Sequence, residues 1–81
     1  MMHIGEHISV IVSFGPRYRI RPVKFRWSGR TFEVKEITYI WKTTEGENLV
    51  HHFSVTDGKT LYELAFNATS LIWRLEGVET Q

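Results

Sequence analysis

Apolar and polar residues alternate most clearly between positions 23 and 35. Apolar and basic residues alternate in 23–27, and apolar residues return at Phe32 and Val34. A period of two places the apolar side chains on one face of a strand. Ser28-Gly29 separates the two runs and suits a two-residue turn, because glycine accepts the positive φ that such turns require. The pattern therefore predicts a β-hairpin.

This turn also predicts the register of the hairpin. The expected partners are Trp27 and Arg30, Phe25 and Phe32, and Val23 and Val34 on one face, with Lys24 and Glu33, and Arg26 and Thr31, on the other. An aromatic pair and an opposite-charge pair both suit direct cross-strand neighbours, each contributing about 0.2–1 kcal/mol. Pattern and turn chemistry thus agree.

The apolar phase changes after Val34. The next apolar residues are Ile37, Tyr39 and Trp41, which lie out of phase with Val34. A slip of one residue near Lys35-Glu36 would turn both sets to the same face, which is typical of a β-bulge. We therefore expect one long strand that bends near its middle.

The remaining strands are predicted from β-branched and aromatic runs that end at turn residues. They are residues 8–14, 17–21, 49–56, 59–66 and 71–76. Gly15-Pro16 ends the first of these, and Asp57-Gly58 favours a second tight hairpin. Residues 61–75 are also compatible with a helix, and that alternative stays open at the level of sequence.

A two-residue turn at Asp57-Gly58 predicts a second register. It pairs Phe53 with Tyr62, Val55 with Thr60, His51 with Leu64 and Leu49 with Phe66 on the core face, and His52 with Glu63 and Val50 with Ala65 on the reverse face. The side that carries Phe53 and Val55 is expected to face the core.

These elements predict an all-β fold. We expect an antiparallel meander of five or six strands, bent strongly into a half-barrel or a small SH3-like barrel. The 81 residues make one small β domain, and residues 1–6 and 77–81 are expected to be flexible.

Candidate catalytic or metal-binding chemistry is sparse. The chain has no cysteine, which excludes disulfides and thiolate metal ligands. His51 and His52 are adjacent and point to opposite faces of a strand, so they cannot chelate one metal together. No nucleophile elbow or glycine-rich phosphate loop occurs. We expect a non-enzymatic protein without a metal or cofactor.

Charge is distributed unevenly along the chain. Residues 1–30 hold six arginines and lysines against one glutamate, a net charge of +5. Residues 31–81 hold four against eight acidic residues, a net charge of −4. Such asymmetry points to a charged partner or to internal pairing of the two halves.

The basic part carries the main functional hypothesis, which is binding to DNA or RNA without sequence readout. Cationic side chains follow phosphates, and aromatic rings stack on bases. The candidate residues are Arg17, Tyr18, Arg19, Arg21, Lys24, Arg26, Trp27 and Arg30. In the alternative, the acidic half neutralises these cations across the sheet. A second hypothesis is a protein-interaction or homodimerising module that uses the charge-split surface or an edge strand.

The run from Arg21 to Arg30, with Val34 and Trp41 downstream, resembles a family of small bacterial domains of unknown function. The residues that carry the resemblance are Arg21, Pro22, Val23, Phe25, Trp27, Gly29, Arg30, Val34 and Trp41. Trp73-Arg74-Leu75 resembles the closing strand of that family. Some members accompany error-prone DNA polymerase-like proteins, so the resemblance implies a DNA-related role.

The sequence also bears on location. No apolar run approaches the roughly 18 residues of a transmembrane helix. The first residues lack the basic and apolar regions of a secretory signal. We therefore expect a cytoplasmic protein that has no membrane partner.

Overall fold

The computed structural model describes residues 1–80, which form one antiparallel sheet of seven strands without a helix. The strands are β1 Met2–Ser13, β2 Arg21–Trp27, β3 Arg30–Glu33, β4 Glu36–Glu45, β5 Asn48–Thr56, β6 Thr60–Asn67 and β7 Ile72–Thr80. Their order in the sheet is β3-β2-β1-β7-β6-β5-β4. The all-β prediction is confirmed with seven strands rather than five or six, and the helical alternative for residues 61–75 is wrong.

The predicted β2–β3 hairpin is confirmed in detail. Ser28 and Gly29 form the turn with φ of 53° and 74°, as a primed two-residue turn requires. The paired residues are Lys24 and Glu33, Phe25 and Phe32, Arg26 and Thr31, and Trp27 and Arg30.

The change of apolar phase marks a passage between the two edges of the sheet. Beyond the end of β3, Val34 N donates to Val23 O of β2 at 2.9 Å, and Lys35 N donates to Thr56 O of β5 at 2.9 Å. The expected single bent strand is therefore two strands, β3 and β4, on opposite edges. A bulge does occur, but later, at Thr38 within β4.

The sheet curls until its two halves pack against each other. The ring of Phe25 on β2 lies 5.1 Å from that of Tyr62 on β6, and Phe32 lies 5.4 Å from Tyr62. These strands are not neighbours in the sheet, so the contacts cross its concave face. The buried core contains Phe25, Phe53, Val55, Tyr62, Leu64, Trp73 and Leu75. Because β3 and β4 do not pair, the sheet is not closed into the SH3-like barrel, which was one of the two expected forms.

The β5–β6 register differs from the prediction by two residues. The structure pairs Phe53 with Leu64 and Val55 with Tyr62. Asp57 Oδ1 accepts hydrogen bonds from the amides of Lys59 and Thr60, both at 2.9 Å, which builds a wider loop than a two-residue turn. A shift of two preserves the faces, so the predicted core side of β5 is correct although the partners are not.

The connection between β1 and β2 is a loop rather than the predicted strand 17–21. Residues 14–20 form this loop, which closes with a hydrogen bond from Gly15 N to Tyr18 O at 3.1 Å. Pro22 is fully buried opposite Val12, next to a bulge at Val23. Proline is tolerated at a bulge, because no ladder hydrogen bond is lost there. Pro22 can therefore be the second residue of β2, which begins at Arg21.

The two ends of the described chain lie in paired strands, and the expected flexibility of residues 1–6 and 77–81 stays a prediction. Met2 pairs with Val78, and His3 pairs with Gly77. The amino group of Met1 lies 3.5 Å from Glu79 Oε1. Residues 2–6 therefore lie in β1 and residues 77–80 in β7, and Gln81 lies outside the described residues.

Candidate nucleic-acid interface

The fold divides the residues of the predicted nucleic-acid surface among three places. Arg17, Tyr18, Arg19 and Arg21 lie on or beside the β1–β2 loop, Lys24 and Arg26 lie on the convex face of β2, and Trp27 and Arg30 flank the β2–β3 turn. The predicted strand 17–21 would place Arg17, Arg19 and Arg21 on one face, and the structure does not contain it. Arg21 is on a strand, whereas Arg17 and Arg19 are held by the loop.

The loop group, defined as Arg17, Tyr18, Arg19 and Arg21, is exposed. Gly15 and Pro16 turn the chain away from the sheet, and the bond between Gly15 N and Tyr18 O fixes the loop. A shallow groove here is lined by Ser13, Gly15, Pro16, Arg17, Tyr18 and Arg21. The Tyr18 ring is 37% exposed, so one part of it is free to stack on a planar group.

The convex-face group consists of Lys24 and Arg26. Lys24 lies between Ile11 and Glu33 in the ladder, and Arg26 lies between Ser9 and Thr31. The two cations point away from the core because Phe25 between them points into it. They line a groove with residues of β1 and β3.

The turn group, Trp27 and Arg30, lies at the far end of β2 from the loop group. Trp27 is half-buried against the core, and its Nε1 donates to Glu6 Oε2 at 3.4 Å. The guanidinium of Arg30 lies 5.5 Å from the centre of the Phe32 ring, within the range of a cation–π contact. Both side chains already have partners within the chain.

The six candidate cations form no ion pair within residues 1–80. The ion pairs found there join Met1 to Glu79 and Arg74 to Glu76, and His52 would add a third, with Glu63, only when it is protonated. Lys24 and Glu33 are direct cross-strand neighbours, yet their charged groups are not within 4.0 Å of each other. The described structure therefore contains no ion pair that would neutralise these cations internally.

Two residues near the loop group were missed at the level of sequence. Phe14 directly follows β1, and 74% of its surface is exposed. Lys35 lines a second groove together with Tyr18 and Arg21, and Glu36 lines it too. An aromatic residue directly before Gly15-Pro16 was the available signal for Phe14. Lys35 reaches this place only because the β3–β4 connection crosses between the sheet edges.

A different cluster lies on the convex face of the acidic half. The buried His52 ring stacks on Trp41, with ring centres 5.0 Å apart and an interplanar angle of 8°. Its Nε2 shares a hydrogen bond of 2.7 Å with Thr43 Oγ1. Its Nδ1 has no hydrogen-bond partner and lies 3.9 Å from Glu63 Oε2. The expected His52–Glu63 proximity thus occurs as a diagonal contact.

His51 lies on the opposite, concave face. Burial lowers the pKa of His51, and the charges of Lys42 and then His52 lower it further. The two adjacent histidines therefore face different surroundings, as predicted. Residues 1–80 contain no cluster of three histidine or carboxylate side chains that could hold a metal ion.

Comparison with known proteins adds no assignment. The chain matches no family model, no curated protein and no solved structure. The resemblance of the β2–β3 hairpin to the bacterial family therefore stays a prediction. Residues 1–80 include no helix that is long and apolar enough to span a membrane.

Proposed function

We propose that this protein binds nucleic acid through the loop group and the convex-face group, without reading sequence. The observation that supports the proposal is the absence of ion pairs at Arg17, Arg19, Arg21, Lys24 and Arg26 within the described structure. Unpaired, exposed arginines are available to phosphate oxygens, which they bind as bidentate donors.

The loop group favours a single strand over a duplex. Tyr18 and Phe14 expose ring surface beside the arginines, and a base stacked on such a ring contributes about 1–3 kcal/mol irrespective of its identity. Bases are available for stacking only where they are unpaired. Long, exposed arginines on a loop present no rigid set of donors to a base edge, so binding is not expected to distinguish sequences.

The direct test is fluorescence anisotropy with short labelled single-stranded DNA, single-stranded RNA and duplex DNA. The measurements are made at about 50 and 200 mM salt. Binding to phosphates releases counterions, so the affinity is expected to fall as the salt concentration rises. The proposal predicts binding to the single strands that weakens with salt. Absence of binding to all three probes at the lower salt concentration would refute it.

Charge-reversal variants locate the surface. The variant R19E/R21E/R26E is expected to abolish binding. A matched pair, Arg19→Glu and Lys59→Glu, changes the net charge equally at two exposed positions, one in the loop group and one in the β5–β6 turn. Only the first is expected to weaken binding. Equal loss from both would indicate a general charge effect and not a localised interface.

A second candidate function, a protein-interaction or homodimerising module, is favoured by one observation. The strand β4 forms a free edge of the sheet with exposed apolar residues. This edge strand could pair with a strand of another protein chain, and such pairing would not depend on nucleic-acid binding.

A further inference from the structure

The two edges of the sheet differ in how they are protected. The β3 edge is four residues long and carries Arg30 and Glu33. Short, charged edges resist pairing with other strands. The β4 edge is ten residues long, and its central residues are Tyr39, Ile40 and Trp41. Tyr39 is 65% exposed and Ile40 is 40% exposed, so apolar surface is available on both faces of this edge strand.

The register of β4 identifies which backbone groups are free. Glu45 and Asn48 flank a two-residue turn in which Gly46 has a φ of 60°, so they form a hydrogen-bonded pair. Hydrogen-bonded and non-hydrogen-bonded pairs alternate along an antiparallel ladder. The N–H and C=O groups of Ile40, Lys42 and Thr44 therefore point away from β5. No strand of the described structure lies on that side.

We propose that β4 pairs with β4 of a second copy of this chain, in an antiparallel, two-fold symmetric dimer centred on Trp41. In this register the outward N–H and C=O groups of Ile40 form hydrogen bonds with those of Lys42 in the second copy. By symmetry, those of Lys42 form hydrogen bonds with Ile40 of the second copy. Trp41 then lies beside its symmetry mate, and Tyr39 lies opposite Thr43. The two sheets become one continuous sheet of fourteen strands, because each copy contributes seven.

The side chains of β4 favour this occupant and this register. Between the bulge at Thr38 and Glu45 the strand carries one charge, that of Lys42. Centring the pair on Lys42 would place two ammonium groups opposite each other, which is unfavourable in a cross-strand pair. Centring it on Trp41 places each Lys42 opposite an isoleucine and pairs aromatic residues with aromatic or β-branched ones. The strand is therefore complementary to itself.

The bulge at Thr38 limits the pairing to residues after it. Thr38 Oγ1 bonds to Ser54 O at 3.1 Å and Ser54 Oγ at 3.0 Å, which ties this irregular part of the edge to β5. Bulges interrupt edge-to-edge pairing. In the Trp41-centred register the paired segment thus runs from Tyr39 to Thr43, because Thr44 would lie opposite Thr38, so we expect a modest, reversible dimer.

The dimer brings two acidic halves together and leaves the two basic loop groups outside it. Residues 36–67 contain five acidic residues and two lysines, a net charge of −3. Salt screens repulsion between like charges. The affinity of the dimer should therefore rise or stay constant as the salt concentration rises, whereas the affinity for nucleic acid should fall. The two salt dependences differ in sign, so one salt series distinguishes the two proposals.

The test is sedimentation velocity of the full chain over a concentration series at about 50 and 200 mM salt. K42P removes one outward N–H but no hydrogen bond to β5, since Lys42 and His51 form a non-hydrogen-bonded pair. K42A keeps the N–H and is the matched control. The proposal predicts a dimer for the unmodified chain and for K42A, and a monomer for K42P.

A second pair of variants keeps the test decisive if K42P does not fold. I40K puts a second ammonium opposite Lys42 of the other copy, and I40E puts a carboxylate there. We expect I40K to weaken the dimer at least tenfold relative to I40E. A chain that is monomeric at all concentrations, equal dimerisation of I40K and I40E, or a dimer that dissociates as salt rises would overturn the proposal.

Discussion

The indole of Trp41 lies parallel to the imidazole of His52 across neighbouring strands, with an interplanar angle of 8°. Trp41 is half-buried, whereas His52 beneath it is only 9% exposed. The tryptophan therefore covers a polar ring on the convex face of the sheet. This contact is part of the packing of the acidic half.

Removing this cover should destabilise the fold. Trp41→Ala loses the apolar area that shields His52, and we expect the free energy of unfolding to fall by about 1–3 kcal/mol. Urea denaturation followed by far-UV circular dichroism measures the change. Tyr39→Ala is the control, since Tyr39 is mostly exposed, and should cost less than about 1 kcal/mol. Equal losses in the two variants would contradict a covering role for Trp41.

The Asp57 carboxylate should make stability depend on acid. Burial alone raises the pKa of Asp57, but hydrogen bonds from Lys59 N, Thr60 N and the Tyr62 hydroxyl outweigh it and hold the pKa below its ordinary value of 3.8. A pKa that is lower in the folded state gives stability that is present above the unfolded value and is lost as pH falls through the folded one.

We therefore expect the stability of the unmodified chain to decline below about pH 4. Asp57→Asn should remove part of this decline and cost about 1–2 kcal/mol at neutral pH, because the amide group replaces a charged acceptor. Urea unfolding between about pH 2.5 and 7 measures both effects. Glu47→Gln, at the exposed β4–β5 turn, is the control. An unchanged acid profile in the Asp57 variant would refute the assignment.

His51 should produce a separate dependence near neutral pH. Burial, Lys42 and His52 lower the pKa of His51 from 6.5. The unfolded chain then binds a proton more readily than the folded chain as pH drops below about 6.5, so stability falls on acidification until the folded pKa is reached. We expect a falling Tm between about pH 7 and 5.

His51→Phe should flatten that slope, because the ring keeps its contact with Phe66 and loses its titrating group. His7→Gln, which removes an exposed histidine on β1, should leave the slope in place. Thermal unfolding at a series of pH values distinguishes them. A slope that persists in the first variant and disappears in the second would contradict the role of His51.

Leu71 offers a stabilising substitution. Its φ is 62° in the turn between β6 and β7, where the amide donates to Asn67 O at 2.8 Å, and its side chain is 69% exposed. A left-handed conformation costs a non-glycine residue about 1–2 kcal/mol. Leu71→Gly should therefore raise the free energy of unfolding by about 0.5–1 kcal/mol. Ser70→Gly is the control and should not stabilise. A lower Tm for the Leu71 variant would refute this account.

The sequence predicted local elements better than their arrangement. The β2–β3 register followed from Ser28-Gly29 because a two-residue turn fixes the pairing on both sides of it. The β5–β6 register did not follow from Asp57-Gly58, since the Asp57 side chain accepts two backbone hydrogen bonds and widens the loop. The pattern of apolar residues shows the faces of a strand, but a shift of two leaves that pattern unchanged.

The position of the basic residues was harder to predict for a related reason. Residues 17–21 alternate as a strand does, yet Gly15, Pro16 and the buried Pro22 confine them to a loop. The alternation therefore predicted a strand where the structure has a loop, and the basic residues are divided among the loop, convex-face and turn groups. Pairing between chain ends also has no local signal, so the β1–β7 ladder could not be predicted from pattern alone.

The connection at Val34 and Lys35 sets the order of the strands, because it crosses from one edge of the sheet to the other. Read from one edge to the other, the sheet runs β4, β5, β6, β7, β1, β2, β3. Every neighbouring pair is consecutive in the chain except β7 and β1, which join its two ends. The protein is thus a circular permutation of a simple up-and-down meander. A chain with joined ends and a break between positions 34 and 35 would keep every ladder and replace its most distant contacts with local ones, a change that favours faster folding.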